Sequence, residues 1–294
     1  MSDLMRAVVI REPGGPEVLE LQEVEVPDPG PKEVRVKVAA SGVNRADLLQ
    51  RLGRYPAPPG YPENIPGLEL AGTVDAVGQG VTLVAPGDQV MGILGGGGYA
   101  EYALSPSETL VPIPDGMPLD IAGAIPEVFM TAFDAAFLQE GLRAGETLLV
   151  HAVGSGVGTA AVQLARRAGA SVIGTSRTPE KLDRAARLGL ENAVLADDLW
   201  ANRVLELTGG KGGDVIMRCV EGLNTLIDYR YRPEIKAKTG RPGAGRQRTG
   251  ANGADAVLDV PVGTQVFDGE TGELLADLIV PHEAGHAVSL VERQ

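Results

Sequence analysis

The chain has 294 residues, 44% of them hydrophobic, with 39 acidic residues against 26 basic ones. This length can bury the cores of two domains, and the net charge of −13 argues against a general nucleic-acid binder. The single cysteine, Cys219, excludes an internal disulfide framework and favours a reducing compartment, so we expect a cytoplasmic protein. The opening residues 1–6 lead into a strand-like run without a signal peptide, and no apolar run is long enough to cross a bilayer.

A strand, a glycine turn and a helix follow one another between residues 146 and 168. Gly154, Gly156 and Gly158 carry no side chain, so the backbone can turn sharply, offer N–H groups to a pyrophosphate and pack the helix close to the strand. A second strand-like run at 170–175 completes a βαβ unit. The pattern predicts a dinucleotide site, with a plain βα turn as the alternative. The predicted cofactor-binding residues are Gly154, Ser155, Gly156, Val157 and Gly158.

The residues after the second run indicate which dinucleotide binds. An acidic side chain there would accept hydrogen bonds from a ribose 2′-hydroxyl. This chain has Ser176 and Arg177 instead, with Lys181 one helical turn further on. These side chains favour a 2′-phosphate, and therefore NADPH over NADH. The alternative is an exposed helix start with ordinary solvated cations.

Five linked motifs lie upstream of the glycine turn. They are Ala39-Ala-Ser-Gly-Val-Asn-Arg-Ala-Asp-Leu-Leu-Gln50, Gly53-Arg-Tyr-Pro-Ala-Pro-Pro-Gly60, Pro66-Gly-Leu-Glu-Leu-Ala-Gly-Thr-Val74, Pro86-Gly-Asp88 and Ile125-Pro-Glu-Val-Phe-Met-Thr-Ala-Phe133. In order and spacing they resemble the quinone oxidoreductase branch of the medium-chain dehydrogenase/reductases, over about residues 5–218. The resemblance implies an α/β enzyme that reduces a small quinone or enone. Its antiparallel, barrel-like (GroES-like) catalytic domain would span 1–120 and its Rossmann domain 121–220.

The resemblance also implies hydride transfer from NADPH without zinc. Zinc-dependent relatives carry a cysteine near the Asn44 region and a histidine in a Gly-His-Glu motif, whereas this chain has Gly67-Leu-Glu69 there. A catalytic zinc needs about three protein ligands and an open position, which this half cannot assemble. By resemblance, Asn44 and Tyr55 line the substrate side of the nicotinamide pocket, and Thr131 lies close to the ring. The alternative roles are a helix cap for Asn44, packing within a proline-rich loop for Tyr55, and a hydrogen bond to the backbone of its own helix for Thr131.

The reductase resemblance stops near Gly212-Gly-Asp214. We expect a truncated Rossmann sheet of four strands ordered 3-2-1-4, where the family has six. The last strand would then expose an edge, which strand-like runs at 256–261 and 264–267 could cover. Because the family's later strands lie under the nicotinamide, we expect weakened cofactor binding and slow turnover. The four strands are expected at 147–152, 171–175, 192–196 and 214–220.

A second resemblance begins where the first one stops. Its motifs are Cys219-Val-Glu-Gly-Leu-Asn-Thr-Leu-Ile-Asp-Tyr-Arg-Tyr231, Lys236-Ala-Lys-Thr-Gly-Arg-Pro-Gly-Ala-Gly245, Val260-Pro-Val-Gly-Thr-Gln-Val266 and Asp268-Gly-Glu-Thr-Gly-Glu273. They resemble, over about residues 212 to 278, the glycine-rich N-terminal domain of the Obg ribosome-assembly GTPases, which suggests a chimera. The glycine-rich stretch 240–253 is predicted to be irregular or polyproline-II-like. The basic stretch 230–248 is interpreted as a solvated loop, with weak contact with ribosomal RNA phosphates as the alternative. The chain has no Gly-x-x-x-x-Gly-Lys-Ser/Thr sequence, so we expect no GTP hydrolysis.

His282-Glu-Ala-Gly-His286 resembles a short segment of the FtsH-type metalloproteases. Histidines four apart share a helix face and can hold zinc while Glu283 activates water. Those proteases take a third, acidic ligand from well downstream, and the sequence ends at Gln294, so we expect no catalytic metal site. Three hypotheses follow: a reductase, a ribosome-associating module and a metal-dependent hydrolase. Motif density favours the reductase, while its preferred acceptor and oligomeric state stay open.

Overall fold

The computed structural model describes residues 3–218 and two further strands, at 264–267 and 274–278. The chain divides into two compact units, residues 1–139 and 140–294. The predicted start of the second domain, residue 121, lies earlier than this division. Helices α2 (Leu119–Ala122) and α3 (Pro126–Phe133) belong to the first unit because they pack on strands of its sheet.

The first unit is antiparallel in all the strand pairs described, as predicted for the GroES-like domain. Strands β1 and β2 form one sheet, and the others form a five-stranded sheet of order β6-β3-β4-β5-β7. Helix α1 (Arg45–Arg51) lies between β3 and β4, and a π-helical segment, 134–139, follows α3. The strands are β1 (Leu4–Ile10), β2 (Leu19–Glu25), β3 (Glu33–Ala40), β4 (Glu69–Val77), β5 (Gln89–Ile93), β6 (Tyr102–Pro106) and β7 (Leu110–Pro112).

Alternation along β3 explains how the first unit forms its core. Val34 and Val36 are completely buried, whereas Lys37 on the opposite face is exposed. Because side chains alternate across a strand, this pattern commits one face of the sheet to the interior. Leu70 of β4 and Val90 of β5 pack in the same cluster. The cluster anchors β4, whose first residue enters the candidate site described below.

The second unit contains a four-stranded parallel sheet with the order β10-β9-β8-β11. This order confirms the predicted 3-2-1-4 arrangement. The central strands β8 and β9 are buried along most of their length, as expected for strands covered on both faces. The elements are β8 (Thr147–His151), α4 (Gly156–Arg167), β9 (Ser171–Ser176), α5 (Pro179–Arg187), β10 (Asn192–Leu195), α6 (Trp200–Leu207) and β11 (Val215–Arg218).

Strands β12 (Thr264–Phe267) and β13 (Leu274–Leu278) pair antiparallel with each other in a sheet of their own. The prediction of a strand at 264–267 is confirmed, and this strand pairs with β13 and not with the edge of the parallel sheet. A hairpin closes a short loop, and pairing with a nearby strand costs less chain entropy than pairing with a distant one.

Several sequence predictions concern residues outside the described ranges. They are the strand-like run 256–261, the basic stretch 230–248 and the histidines His282 and His286. Within the described ranges, no helix is both long enough and apolar enough to cross a bilayer.

Candidate active site

The N-terminus of α1 holds a buried carboxylate, Asp47. Asn44 is the N-cap of this helix, and the Asp47 carboxylate accepts a hydrogen bond from the Asn44 backbone N–H at 2.7 Å. The same carboxylate accepts from the Gly67 N–H at 3.1 Å and from the Tyr99 hydroxyl at 2.8 Å. Three donors therefore hold Asp47, which is only 5% exposed.

Glu69 begins β4 and is almost completely buried, at 1% exposure. Its Oε1 accepts a hydrogen bond from Asn44 Nδ2 at 2.8 Å, and its Oε2 accepts from the Glu127 backbone N–H at 2.9 Å. Asn44 therefore caps α1, as the helix-cap alternative proposed, and also directs its side chain to Glu69. The predicted role of Asn44 toward a substrate stays a prediction.

Glu127, the second residue of α3, completes what we call the acid cluster with Asp47 and Glu69. Burial, followed by the charges of Glu69 and Asp47, raises the pKa of Glu127 to about 7. Burial also raises the pKa values of Asp47 and Glu69, although the hydrogen bonds that each accepts oppose this effect. Three acidic groups in one partly desolvated region cannot all ionise freely near neutral pH.

Tyr55 and Tyr99 adjoin the acid cluster. Burial, and then the charges of Glu127 and Asp47, raise the pKa of Tyr55 above its usual range. Burial and the contact with Asp47 raise the pKa of Tyr99 as well. Both phenols therefore stay protonated at neutral pH, where they can donate hydrogen bonds. Proximity to Glu127 is consistent with the predicted substrate-side role of Tyr55 but does not test it.

Thr131, predicted to lie near the nicotinamide, is an exposed residue of α3. It lies four residues after Glu127, so the two share a face of the helix. Thr131 therefore lies on the same face of α3 as Glu127 of the acid cluster, in the first unit. Its predicted contact with the cofactor stays a prediction.

The first unit does not fit a catalytic zinc. Among residues 3–218, no group of three or more His, Cys, Asp or Glu side chains is placed to hold a metal ion. N–H donors already engage the carboxylates of Asp47 and Glu69. The histidines at 282 and 286 lie outside the described ranges, so the zinc-free mechanism stays a prediction for the whole chain.

The glycine turn between β8 and α4 has the geometry of a phosphate cradle. Ala152, and none of the three glycines, adopts the left-handed conformation, with φ 54°. The left-handed step is therefore made at Ala152, two residues before Gly154, the first glycine of the predicted turn. At Gly158 a Cβ would lie 2.8 Å from the Ala152 carbonyl oxygen and from backbone atoms of Val153. Only glycine lets α4 approach β8 this closely, which confirms the predicted packing role.

The start of α4 leaves backbone donors for an anion. Ser155 is the N-cap, and its Oγ accepts a hydrogen bond from the Gly158 N–H at 3.0 Å. The first N–H groups of a helix, here those of Gly156 and Val157, have no partner within the helix. They are suited to a pyrophosphate. The five predicted residues, 154–158, therefore form one turn that fits a dinucleotide.

The predicted 2′-phosphate residues divide into two groups. A Cβ on Gly154 would lie 2.6 Å from Lys181 Cβ, so the stem of Lys181 packs directly over the glycine turn. Arg177 is exposed at the end of β9. Ser176 is buried, and its Oγ accepts a hydrogen bond from the Thr178 N–H at 3.1 Å, which makes it part of the turn before α5. Two cations thus remain available near the turn.

Comparison with known proteins identifies the family. The family models "Alcohol dehydrogenase GroES-like domain" and "Zinc-binding dehydrogenase" match residues 30–115 and 156–226. The quinone oxidoreductase of Lama guanicoe is 38% identical over 232 residues, which cover 76% of this chain and 69% of that protein. The chain belongs to the medium-chain dehydrogenase/reductase family. Such oxidoreductases bind nicotinamide cofactors, and this chain spans roughly two thirds of that relative's length.

Solved structures of this family agree with that assignment. The quinone oxidoreductase of Pseudomonas syringae pv. Tomato DC3000 is 36% identical, with a TM-score of 0.65 over 72% of this chain and 65% of that one. The CurK enoyl reductase is 30% identical, with a TM-score of 0.68 over 74% of this chain and 68% of that one. A model described as GTP1/OBG matches residues 207–290.

Sequence reasoning missed the acid cluster, although Glu69 and Glu127 lie inside motifs that it used. Each acidic residue stands among apolar or small neighbours, in Gly-Leu-Glu-Leu-Ala and Ile-Pro-Glu-Val-Phe. An acidic residue in such surroundings is a candidate for burial and therefore for a functional role. That signal was available in the sequence, but the partners of each carboxylate were not.

Proposed function

We propose that this medium-chain dehydrogenase/reductase is an NADPH-dependent reductase of quinones or similarly electron-poor carbonyl compounds, acting without a metal. When bound, NADPH supplies the hydride. The observation that carries the proposal is the position of Lys181, whose stem packs on Gly154 of the glycine turn. Lys181, together with Arg177, which is exposed directly after β9, offers the cations that suit a phosphorylated ribose.

The acceptor side of the proposal rests on the first unit. Asn44 and Tyr55 border the acid cluster, which offers neutral hydrogen-bond donors and no metal ligand set. A carbonyl oxygen that gains negative charge during reduction is stabilised by such donors. The relatives named as quinone oxidoreductases and as an enoyl reductase support the choice of acceptor. We expect slower turnover than in those relatives, because this chain is predicted to lack the later strands of the family's Rossmann sheet.

Calorimetric titration with NADPH and NADH tests the cofactor, and NADPH oxidation with a benzoquinone or an enone tests the acceptor. We expect tighter NADPH binding, and Arg177→Ser should weaken it by about tenfold while leaving NADH binding unchanged. Arg184→Ser is the matched control, because Arg184 is also an exposed arginine of the second unit. Equal affinity for both cofactors in the unmodified protein would refute the NADPH preference.

A ribosome-associating module is the second candidate, favoured by the GTP1/OBG match at residues 207–290. This match overlaps the dehydrogenase match at 207–226, which supports a joined origin of the chain. Contact with ribosomal RNA would run through the basic stretch 230–248 and weaken steeply with salt. Co-sedimentation with large ribosomal subunits at low and high salt tests this candidate. Absence from the subunit fraction at low salt excludes it.

A further inference from the structure

One carboxyl of the acid cluster has no donor within the described ranges. Asp47 accepts hydrogen bonds from two backbone N–H groups and a phenol, and Glu69 accepts from an amide and a backbone N–H. Among residues 3–218, none donates a hydrogen bond to the carboxyl of Glu127. Hydrogen bonds from N–H groups favour the ionised carboxylate, so the negative charges belong to Asp47 and Glu69. Because the three carboxyl groups cannot all be ionised freely near neutral pH, the proton that stays in the acid cluster resides on Glu127.

The position of Glu127 gives this proton access to a ligand and to water. Glu127 is partly exposed in the first turn of α3. Met130, which is 52% exposed, and Thr131 lie one helical turn further along the same face. A protonated carboxyl therefore stands beside an exposed apolar side chain on one helix face.

We propose that Glu127 is the proton donor for acceptor reduction, an inference that rests on the proposed function. Bound NADPH would supply the hydride to the acceptor, and an electron pair of the acceptor's conjugated double bonds would then lie on its remote carbonyl oxygen. The O–H bond of Glu127 then breaks, and its proton bonds to that oxygen. Water afterwards returns a proton to the carboxylate. In sum, the acceptor, NADPH and one proton give NADP⁺ and a hydroquinone, or an enol that becomes the saturated ketone.

The neighbouring groups favour Glu127 over the phenols in this role. Burial, followed by the charges of Glu69 and Asp47, raises the pKa of Glu127 to about 7 and so keeps its proton bound up to neutral pH. A general acid is most effective when its pKa lies near the working pH. Tyr55 and Tyr99 have pKa values raised above the ordinary phenol range, so they donate hydrogen bonds but release protons poorly.

The test compares kcat across pH for the unmodified protein, Glu127→Gln and Glu127→Asp, with NADPH and a benzoquinone. We expect kcat of the unmodified protein to fall as pH rises through about 7 and that of Glu127→Gln to be at least about tenfold lower and independent of pH. Glu127→Asp keeps an acid and should retain turnover with a shifted midpoint. Asp120→Asn removes an exposed carboxylate from the neighbouring helix α2 and should behave like the unmodified protein.

Two further measurements separate the possible failures. NADPH titration should give the same affinity in all four proteins, and ¹³C NMR of labelled glutamate carboxyls should show a resonance titrating near neutral pH that Glu127→Gln lacks. No quinone turnover in the unmodified protein refutes the proposed function. Normal turnover with the same pH profile in Glu127→Gln, or no such resonance, refutes the proton-donor role alone. If Glu127→Gln does not fold, an unshifted midpoint in Glu127→Asp refutes the role.

Discussion

Replacing Glu127 with glutamine should change how the stability of the first unit depends on pH. The pKa of Glu127 rises from its ordinary 4.5 to about 7 because the group is buried near Glu69 and Asp47. A carboxyl with a raised folded-state pKa contributes stability that is complete below its unfolded pKa and is lost as pH rises through its folded pKa. The stability of the unmodified protein should therefore decline between about pH 4.5 and 7 for this reason.

The magnitude follows from the same two pKa values. Each pKa unit corresponds to about 1.4 kcal/mol, so ionising Glu127 in the folded state costs about 3.5 kcal/mol. Part of this cost is already present at about pH 5, which leaves about 2.5 kcal/mol to be lost between about pH 5 and 8.5. Glutamine has a similar shape and no charge at any pH. Glu127→Gln should therefore remove this part of the pH dependence.

The assay must report on the first unit. Trp200, the only tryptophan, lies in the second unit, so its fluorescence reports the wrong part of the chain. Hydrogen exchange of peptides from β4 and α3, corrected for the intrinsic pH dependence of exchange, measures the opening free energy locally. Asp120→Asn is the matched control, because it removes an exposed carboxylate of the same unit. An equal loss of protection with pH in Glu127→Gln and the unmodified protein would refute the assigned pKa and its cause.

Three further predictions follow from the contacts described. Gly158→Ala should weaken NADPH binding by at least about tenfold and lower the melting temperature reported by Trp200, because the new Cβ meets the backbone at 2.8 Å. An unchanged NADPH titration and an unchanged melting temperature would contradict the close packing. Tyr99→Phe removes a hydrogen-bond donor to Asp47 and raises the pKa of that carboxyl further. It should lower the free energy of unfolding by about 1–2 kcal/mol at neutral pH, measured in urea, and an unchanged free energy would mean that the bond is unimportant. Leu70→Ala leaves a cavity in the core of the first unit and should lower the free energy of unfolding in the same assay by about 2–5 kcal/mol. A change near zero would contradict the complete burial of Leu70.

The sequence by itself determined the elements that depend on local patterns. The parallel strands and their helices alternate as short local patterns, so their existence and approximate bounds were predictable, whereas the strand order was implied by the family resemblance. The glycine turn was also predictable, because its five residues, 154–158, are contiguous in the sequence. Even there the structure corrected a detail, since Ala152 makes the left-handed step.

Only the tertiary structure decided the candidate site in the first unit. Asn44 meets Glu69 across 25 positions of sequence, and Glu69 meets the backbone of Glu127 across 58 positions. No local pattern records such distances, because they depend on how α1, β4 and α3 pack against one another. The protonation of Glu127 is likewise a tertiary property, since burial and two distant carboxylates raise its pKa. A sequence can propose acidic residues one by one, but only packing brings their charges close enough to compete for a proton.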